Sequence, residues 1–346
     1  MENGLILKRG GQRAGGGDMK TRKFGRIGWP VSEIGVGTWA MGSEWGPVDE
    51  EAATEALHKA LDQGVNFIDT ADAYGAGKSE RLVAKVLRER SGKRPYIATK
   101  VGKRLPQQDV KLFSYENLAS HIDRSLENLE TSVLDLVQLH CPPTELYYHP
   151  EVFEHMDRLI DEGKILHYGV SVEKVEEAIK AVEYPGVDSV QIIYNMFRQR
   201  PSDYLFKLAK DRGVAVIARV PLASGLLSGR LRIDSAFHPE DHRAYNRNGE
   251  IFDVGETFGG VPFEVGLDAV KDIKALVPNG ATMAQMALRW ILMNDAVCVV
   301  IPGAKTPEQA QENAGASDIV DLPPDVMAQI DTIYRERIKP LVHHRW

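Results

Sequence analysis

Eight short runs of apolar, β-forming residues punctuate this chain, and stretches with helical spacing lie between them. That alternation constrains the fold more than any other feature. The runs are EIGVGT (33–38), NFIDTA (66–71), YIATKV (96–101), LDLVQLH (134–140), LHYGVS (166–171), SVQIIYN (189–195), VAVIARV (214–220) and VCVVIP (297–302). Between them, DEEAATEALHKALDQG sets alanine and leucine at helical spacing and stops at a glycine. SYENLASHIDRSLENLE opens on Ser114, a suitable helix N-cap. Strands alternating with helices imply a parallel sheet, because parallel neighbours need crossover connections. Such a sheet can stay open and doubly wound, or close into a (β/α)8 barrel. Eight repeats in 346 residues favour the barrel. No G-x-G-x-x-G follows the first run, which removes the best support for a doubly wound dinucleotide-binding sheet.

The expected fold class is therefore α/β, a (β/α)8 TIM barrel over residues 19–346. A short N-terminal β-hairpin within TRKFGRIGWPVS precedes the first run. One connection is long. Residues 223–263, after the seventh strand, are rich in charge, glycine and aromatics and read as a lid or wall of an active site. Residues 1–18, basic and glycine-rich, lack the apolar segment of a secretory signal and are expected to be a disordered tail. With 43% hydrophobic residues the chain can bury a sizeable core. Its formal charge of −7 argues against a general nucleic-acid binder. No apolar run reaches the roughly 18 residues of a membrane span. Two distant cysteines, Cys141 and Cys298, form neither a disulfide framework nor a zinc pattern and fit a cytoplasmic setting.

Chemistry in barrels of this kind gathers at the C-terminal ends of the strands. The second run ends at Asp69 with Tyr74 in the following loop, the third at Lys100 and the fourth at His140. Consecutive strands are neighbours, so an acid, a phenol, an ammonium and an imidazole converge at one side of the mouth. A phenol with its ordinary pKa of about 10 donates a proton poorly at neutral pH. An ammonium about 4 Å away, at an effective dielectric near 20, favours the phenolate by up to ~4 kcal/mol. The expectation is that Lys100 brings Tyr74 toward the range of a general acid. Asp69 then keeps Lys100 charged and in place, and His140 holds a substrate oxygen beside the phenol. The set suits protonation of a carbonyl oxygen as it becomes an alkoxide. It offers no nucleophile and no metal-ligand set, so the reducing equivalent must come from elsewhere. Singly, each residue has an ordinary explanation as a turn residue or barrel-mouth ion pair; their order on consecutive strands favours chemistry.

Read together, FIDTADAYGAGKSE (67–80), ATKVG (98–102), DLVQLH (135–140), GVS (169–171) and IPGAKTPEQAQEN (301–313) resemble the aldo-keto reductase family, over nearly all of residues 19–346. The resemblance implies a barrel that reduces aldehydes and ketones, or oxidises a sugar or polyol alcohol, with NADP(H), less often NAD(H). It implies Tyr74 as general acid, Asp69 and Lys100 as its tuning pair, and His140 as the group that orients the carbonyl. It also implies a cofactor site. Gly37, Thr38, Trp39 and Asp69 would lie on the nicotinamide side, with Ser171 and Gln191 on the carboxamide. The stretch PLASGLLSGR resembles the pyrophosphate loop, with Leu222, Ser224, Gly225, Leu226 and Arg230 near phosphate. Gly303, Lys305 and Thr306 precede a helix start suited to an anion. Lys305 would meet a 2′-phosphate, and Gln309 and Asn313 the adenine.

Three departures stand out. Val172 follows Ser171 where the family often has asparagine. Arg219 occupies the position of an aromatic that often stacks on the nicotinamide, and its charge would press on the oxidised cofactor. Gln309 stands where an arginine is frequent, so a preference for NADPH rests on Lys305. Phe237, His238, Tyr245, Phe252 and Phe258 of the long loop, with Trp39, Trp45 and Met196, either line a pocket for a small carbonyl compound or pack the loop. A cofactor-binding regulatory or scaffold subunit with little turnover is the second reading, and a phosphosugar barrel of unrelated chemistry a third.

Overall fold

The computed structural model describes residues 19–42 and 44–346; the expectation for residues 1–18 lies outside them. A two-stranded antiparallel hairpin, β1 (Thr21–Phe24) and β2 (Trp29–Ser32), comes first. Eight parallel strands follow: β3 (Val36–Gly37), β4 (Phe67–Asp69), β5 (Tyr96–Val101), β6 (Leu134–His140), β7 (Ile165–Ser171), β8 (Val187–Ile193), β9 (Ala215–Arg219) and β10 (Val297–Val300). Each pairs with the next in sequence order, from β3 to β10. Parallel bridges Ile34–Val300 and Gly37–Gly303 join the two edges and close the barrel. The eight runs in the sequence are thus the eight barrel strands, with ends trimmed by a few residues.

Two apolar layers hold this arrangement. One faces outward from the strands onto helices such as Glu50–Asp62, Lys78–Arg88 and Tyr115–Asn128, whose buried sides recur at helical spacing. Their starts follow from local chemistry: Asp49 and Ser114 accept backbone N–H groups as N-caps. The other layer fills the barrel interior with Phe67, Ala98, Leu136, Ile217, Val299 and Ile301, and the hairpin adds Phe24 and Val31. The hairpin therefore plugs the end of the barrel opposite the strand C-termini. Its turn approaches the start of β9 so closely that a Cβ on Gly25 (φ +47°) would stand 2.6 Å from the Gly213 carbonyl oxygen. Only glycine satisfies both the backbone angle and the space.

The long connection after β9 is ordered. It holds a helical turn, His242–Tyr245, and 3₁₀ turns at Val254–Glu256 and Phe258–Gly260. It crosses the barrel mouth to the segment after β3: Trp45 forms a bridge with Asp241, and the His242 N–H donates to Glu44 O at 2.8 Å. Trp346 pins its far end. The indole is buried, its Nε1 donates to Asp253 Oδ1 at 2.9 Å, and the Arg198 guanidinium lies 4.0 Å from the ring centroid. Among the described residues no helix is long and apolar enough to cross a membrane.

Candidate active site

The C-terminal ends of β3 to β10 surround a cavity of about 540 Å³, within the usual range for small-molecule sites. Asp69 ends β4, Lys100 lies next to the last residue of β5, and His140 ends β6. Tyr74 reaches the same wall from the loop after β4, which turns through Gly75 and Gly77 at positive φ. The four predicted residues meet. Lys100 Nζ donates to Asp69 Oδ1 at 2.5 Å, to Thr70 O at 2.9 Å and to Tyr74 Oη at 3.0 Å. The His140 ring stands edge-on to the Tyr74 ring, centroids 5.7 Å apart.

Those three bonds use every proton of the ammonium. The Tyr74 oxygen accepts from Lys100, so its own O–H points elsewhere. Asp69 is held from its other side as well: Oδ2 accepts from Gln191 Nε2 at 2.7 Å and Gln138 Nε2 at 3.3 Å. Both carboxylate oxygens of Asp69 are thus engaged by donors.

The electrostatics differ from the expectation in one respect. Lys100 does not bring Tyr74 down. Burial, with Asp69 and Glu256 adding, raises the Tyr74 pKa well above its ordinary value. Burial also lowers Lys100, and Asp69 only partly offsets it. In a site this dry the desolvation of the phenolate outweighs one neighbouring cation, which Asp69 already neutralises. His140 is pushed well below the ordinary histidine range by burial, Lys100, Lys103 and Arg219. It is a neutral imidazole, and its Nδ1 is buried with no hydrogen-bond partner.

Most other predicted residues line the same cavity: Gly37, Trp39, Ser171, Gln191, Arg219, Leu222, Ser224, Gly225, Arg230, Gly303, Lys305, Gln309 and Asn313. Three stand behind its wall. The Thr38 hydroxyl donates to Asp69 O and accepts from Ser79 Oγ. Thr306 caps the helix Pro307–Gly315. Leu226 is fully buried and meets Gly266. Ser171 and Gln191 are 3.4 Å apart, Oγ to Oε1. After β9, Val220, Ala223, Ser224 and Gly225 all have positive φ, a sharply turned backbone at the cavity edge. Lys305 donates to the Trp45 carbonyl, and burial lowers its pKa. Arg230 pairs with Glu312 at 2.8 Å.

The aromatic residues divide. Trp39, Trp45, Tyr245 and Phe252 line the cavity, with His242 between the two indoles at 4.8 and 4.5 Å. Phe237 and Phe258 pack instead with Phe263, and Met196 is buried. His238 lies against Gly46.

Sequence reasoning missed Glu173 and Glu256. Arg219 donates to both, to Val172 O at 2.8 Å, and to Cys141 Sγ at 3.8 Å. A buried arginine demands a carboxylate partner, and that was the available signal. Glu256, however, lies 37 residues away along an irregular loop, beyond any local pattern. Cys141, Glu173 and Glu256 bring their ligand atoms within 4.8 Å of one another, but the guanidinium already bonds all three.

Residues 33–335 match the Aldo/keto reductase family. The chain is 32% identical to "Aldo-keto reductase YhdN" of Bacillus subtilis over 299 residues, 85% of this chain and 87% of that one. It is 27% identical to "Probable voltage-gated potassium channel subunit beta" of Arabidopsis thaliana, over 93% of this chain and 98% of that one. Among solved structures it is similar to the holo form of aldo-keto reductase AKR11C1 from Bacillus halodurans (TM-score 0.73, 27% identity, 91% of this chain and 96% of that one). It is also similar to an aldo/keto reductase from Klebsiella pneumoniae in complex with NADP and acetate (TM-score 0.67, 26% identity, 92% and 96%).

Proposed function

The chain belongs to the aldo/keto reductase family, and from that premise we propose that it is an NADP(H)-dependent oxidoreductase interconverting a small aldehyde or ketone with its alcohol. The observation that carries this reading is the Tyr74 oxygen, fixed by Lys100 at 3.0 Å with its own proton left to the cavity. Tyr74 donates that proton to the substrate oxygen as it becomes an alkoxide. The Lys100 ammonium stays on the phenol oxygen and stabilises the charge left there. Asp69 and the two glutamine amides keep Lys100 in place. His140, neutral and edge-on to the phenol, hydrogen-bonds the same substrate oxygen. The bound cofactor supplies or accepts a hydride at its nicotinamide.

The donor set fits such a cofactor. Ser171 and Gln191 offer amide and hydroxyl groups to a carboxamide at the Tyr74 end. The turned backbone at Ser224 and Gly225, with Arg230 nearby, suits a pyrophosphate. Lys305, Gln309 and Asn313 suit a phosphorylated adenosine, Lys305 exchanging the Trp45 carbonyl for phosphate. Solved relatives in complex with NADP and with NADPH support this choice.

Fluorescence titration of the purified protein with NADPH and NADH, followed by turnover on a panel of aldehydes and ketones, tests the proposal. Tighter NADPH binding and turnover are expected; binding of neither cofactor would remove it. The likeness to a channel subunit favours a second reading, a cofactor-binding regulatory subunit. Cofactor binding without turnover on any carbonyl compound would decide for that.

A further inference from the structure

The end of β9 presents a guanidinium to the cavity and surrounds it with excess negative charge. Arg219 is buried, with Glu256 on Nη1 and with Glu173 at 3.2 Å and Val172 O at 2.8 Å on Nη2. All three charged residues line the cavity. Glu173 is fixed by its place two residues after β7, and Glu256 by a turn whose neighbour Asp253 holds Trp346. Two carboxylates on one guanidinium give the cluster itself a net charge of −1 once Glu173 is ionised; around it, Asp253 stands against Arg198 and Lys103. The cluster joins the Tyr74 group by a continuous polar chain. Arg219 Nη2 meets Cys141 Sγ at 3.8 Å, Cys141 Sγ meets Ser171 Oγ at 3.6 Å, Ser171 meets Gln191 at 3.4 Å, and Gln191 meets Asp69 at 2.7 Å. The positive charge of Arg219 that the sequence sets against an oxidised cofactor is therefore opposed by two carboxylates in direct contact with it.

We propose that the Glu173–Arg219–Glu256 cluster is an electrostatic pad that holds the oxidised, positively charged nicotinamide more tightly than the neutral reduced ring. This rests on the NADP(H) reading above. Loss of a hydride leaves one positive charge on the ring, and a fixed negative field in a dry cavity stabilises that charge as it develops. The pad thereby makes the bound reduced cofactor a stronger hydride donor and retains the oxidised form.

The test is fluorescence titration of the full chain with NADP+ and, separately, NADPH, for the wild type, Glu173→Gln and Glu256→Gln. The readout is the ratio of Kd for NADP+ to Kd for NADPH, in which contributions from the adenosine and phosphates cancel. At pH 8.5, where Glu173 is ionised, each substitution removes one negative charge while keeping the side-chain shape, and should raise the ratio about fivefold or more. A second measurement needs no variant. Burial and Glu256 push the Glu173 pKa up to about 7 against the pull of Arg219. Glu173 therefore ionises between about pH 6 and pH 8, and the wild-type ratio should fall as pH rises through that window. Facing groups do not imitate this. His140 and His242 are held low, and Cys141, Tyr74 and Tyr147 high. Lys103, Arg198, Arg219, Asp253 and Glu256 are the remaining charges around Glu173. Binding of both cofactor forms with a flat ratio, in the folded variants and across pH, would overturn the pad alone. Binding of neither form to the wild type would remove the cofactor reading and the pad with it.

Discussion

Tyr74→Phe removes one oxygen atom from the centre of the site, and the structure says what else changes. Lys100 Nζ keeps Asp69 at 2.5 Å and Thr70 O at 2.9 Å and loses only its third acceptor. The aromatic ring keeps its edge-on contact with His140 at 5.7 Å and its place 4.7 Å from the ammonium. The stability change should be about 1 kcal/mol, the net worth of one hydrogen bond. Cofactor affinity should stay within about twofold, since no contact assigned to the cofactor is touched. The proposed proton donor is lost entirely, and general acid catalysis is typically worth about 10²–10⁴ in rate. A fall of that size in kcat is the expected outcome, followed by the loss of reduced-cofactor absorbance under single turnover, so that release of product does not mask the chemical step. A variant that binds NADPH normally and reduces the same substrate within about tenfold of the wild-type rate would refute the assignment of Tyr74.

Other outcomes follow from the same geometry. Lys100→Met strips Asp69 of its cation inside the barrel, and unfolding in denaturant should show a loss of about 3–5 kcal/mol; a loss under about 1 kcal/mol would mean that Gln138 and Gln191 already suffice for Asp69. Lys305→Ala should raise the Kd for NADPH about tenfold while leaving NADH within about twofold; equal losses for both would end the case for a 2′-phosphate contact. His242, pushed down to about 4 mainly by burial, is neutral between the indoles when folded and takes up a proton when unfolded below its ordinary value. The unfolded state then binds more protons, so stability falls as pH drops from about 6.5 toward 4. His242→Asn should flatten that decline in unfolding measurements over the same window. In the wild type, reduction should not lose rate through Tyr74 ionisation below about pH 10, because burial holds the phenol above its ordinary range.

The barrel and the grouping of Asp69, Tyr74, Lys100 and His140 at its mouth were legible in the sequence because both are written in local order. A parallel strand buried on both faces is a short apolar run, and its C-terminal end lies at the mouth. Asp69, Lys100 and His140 could therefore be placed together by counting strands. Lys305 and the glycine-rich turn at Ser224 and Gly225 were legible for a similar reason, as they sit at strand or helix ends whose position the repeat dictates.

What only the tertiary structure decided concerns groups whose partners come from irregular chain. The direction of the Tyr74 shift depends on how dry the site is and on Glu256, and neither is visible from the spacing of Asp69, Tyr74 and Lys100. The partners of Arg219 were not legible in the sequence, where an isolated arginine reads as a lone positive charge. Folding brings Glu173 from beyond the end of β7 and Glu256 from the long loop, and sets two carboxylates on one guanidinium. Strand ends are ordered by backbone hydrogen bonding, which a sequence pattern encodes. Charge in a buried cluster is a sum over residues brought together from distant loops, and only the folded chain performs that sum.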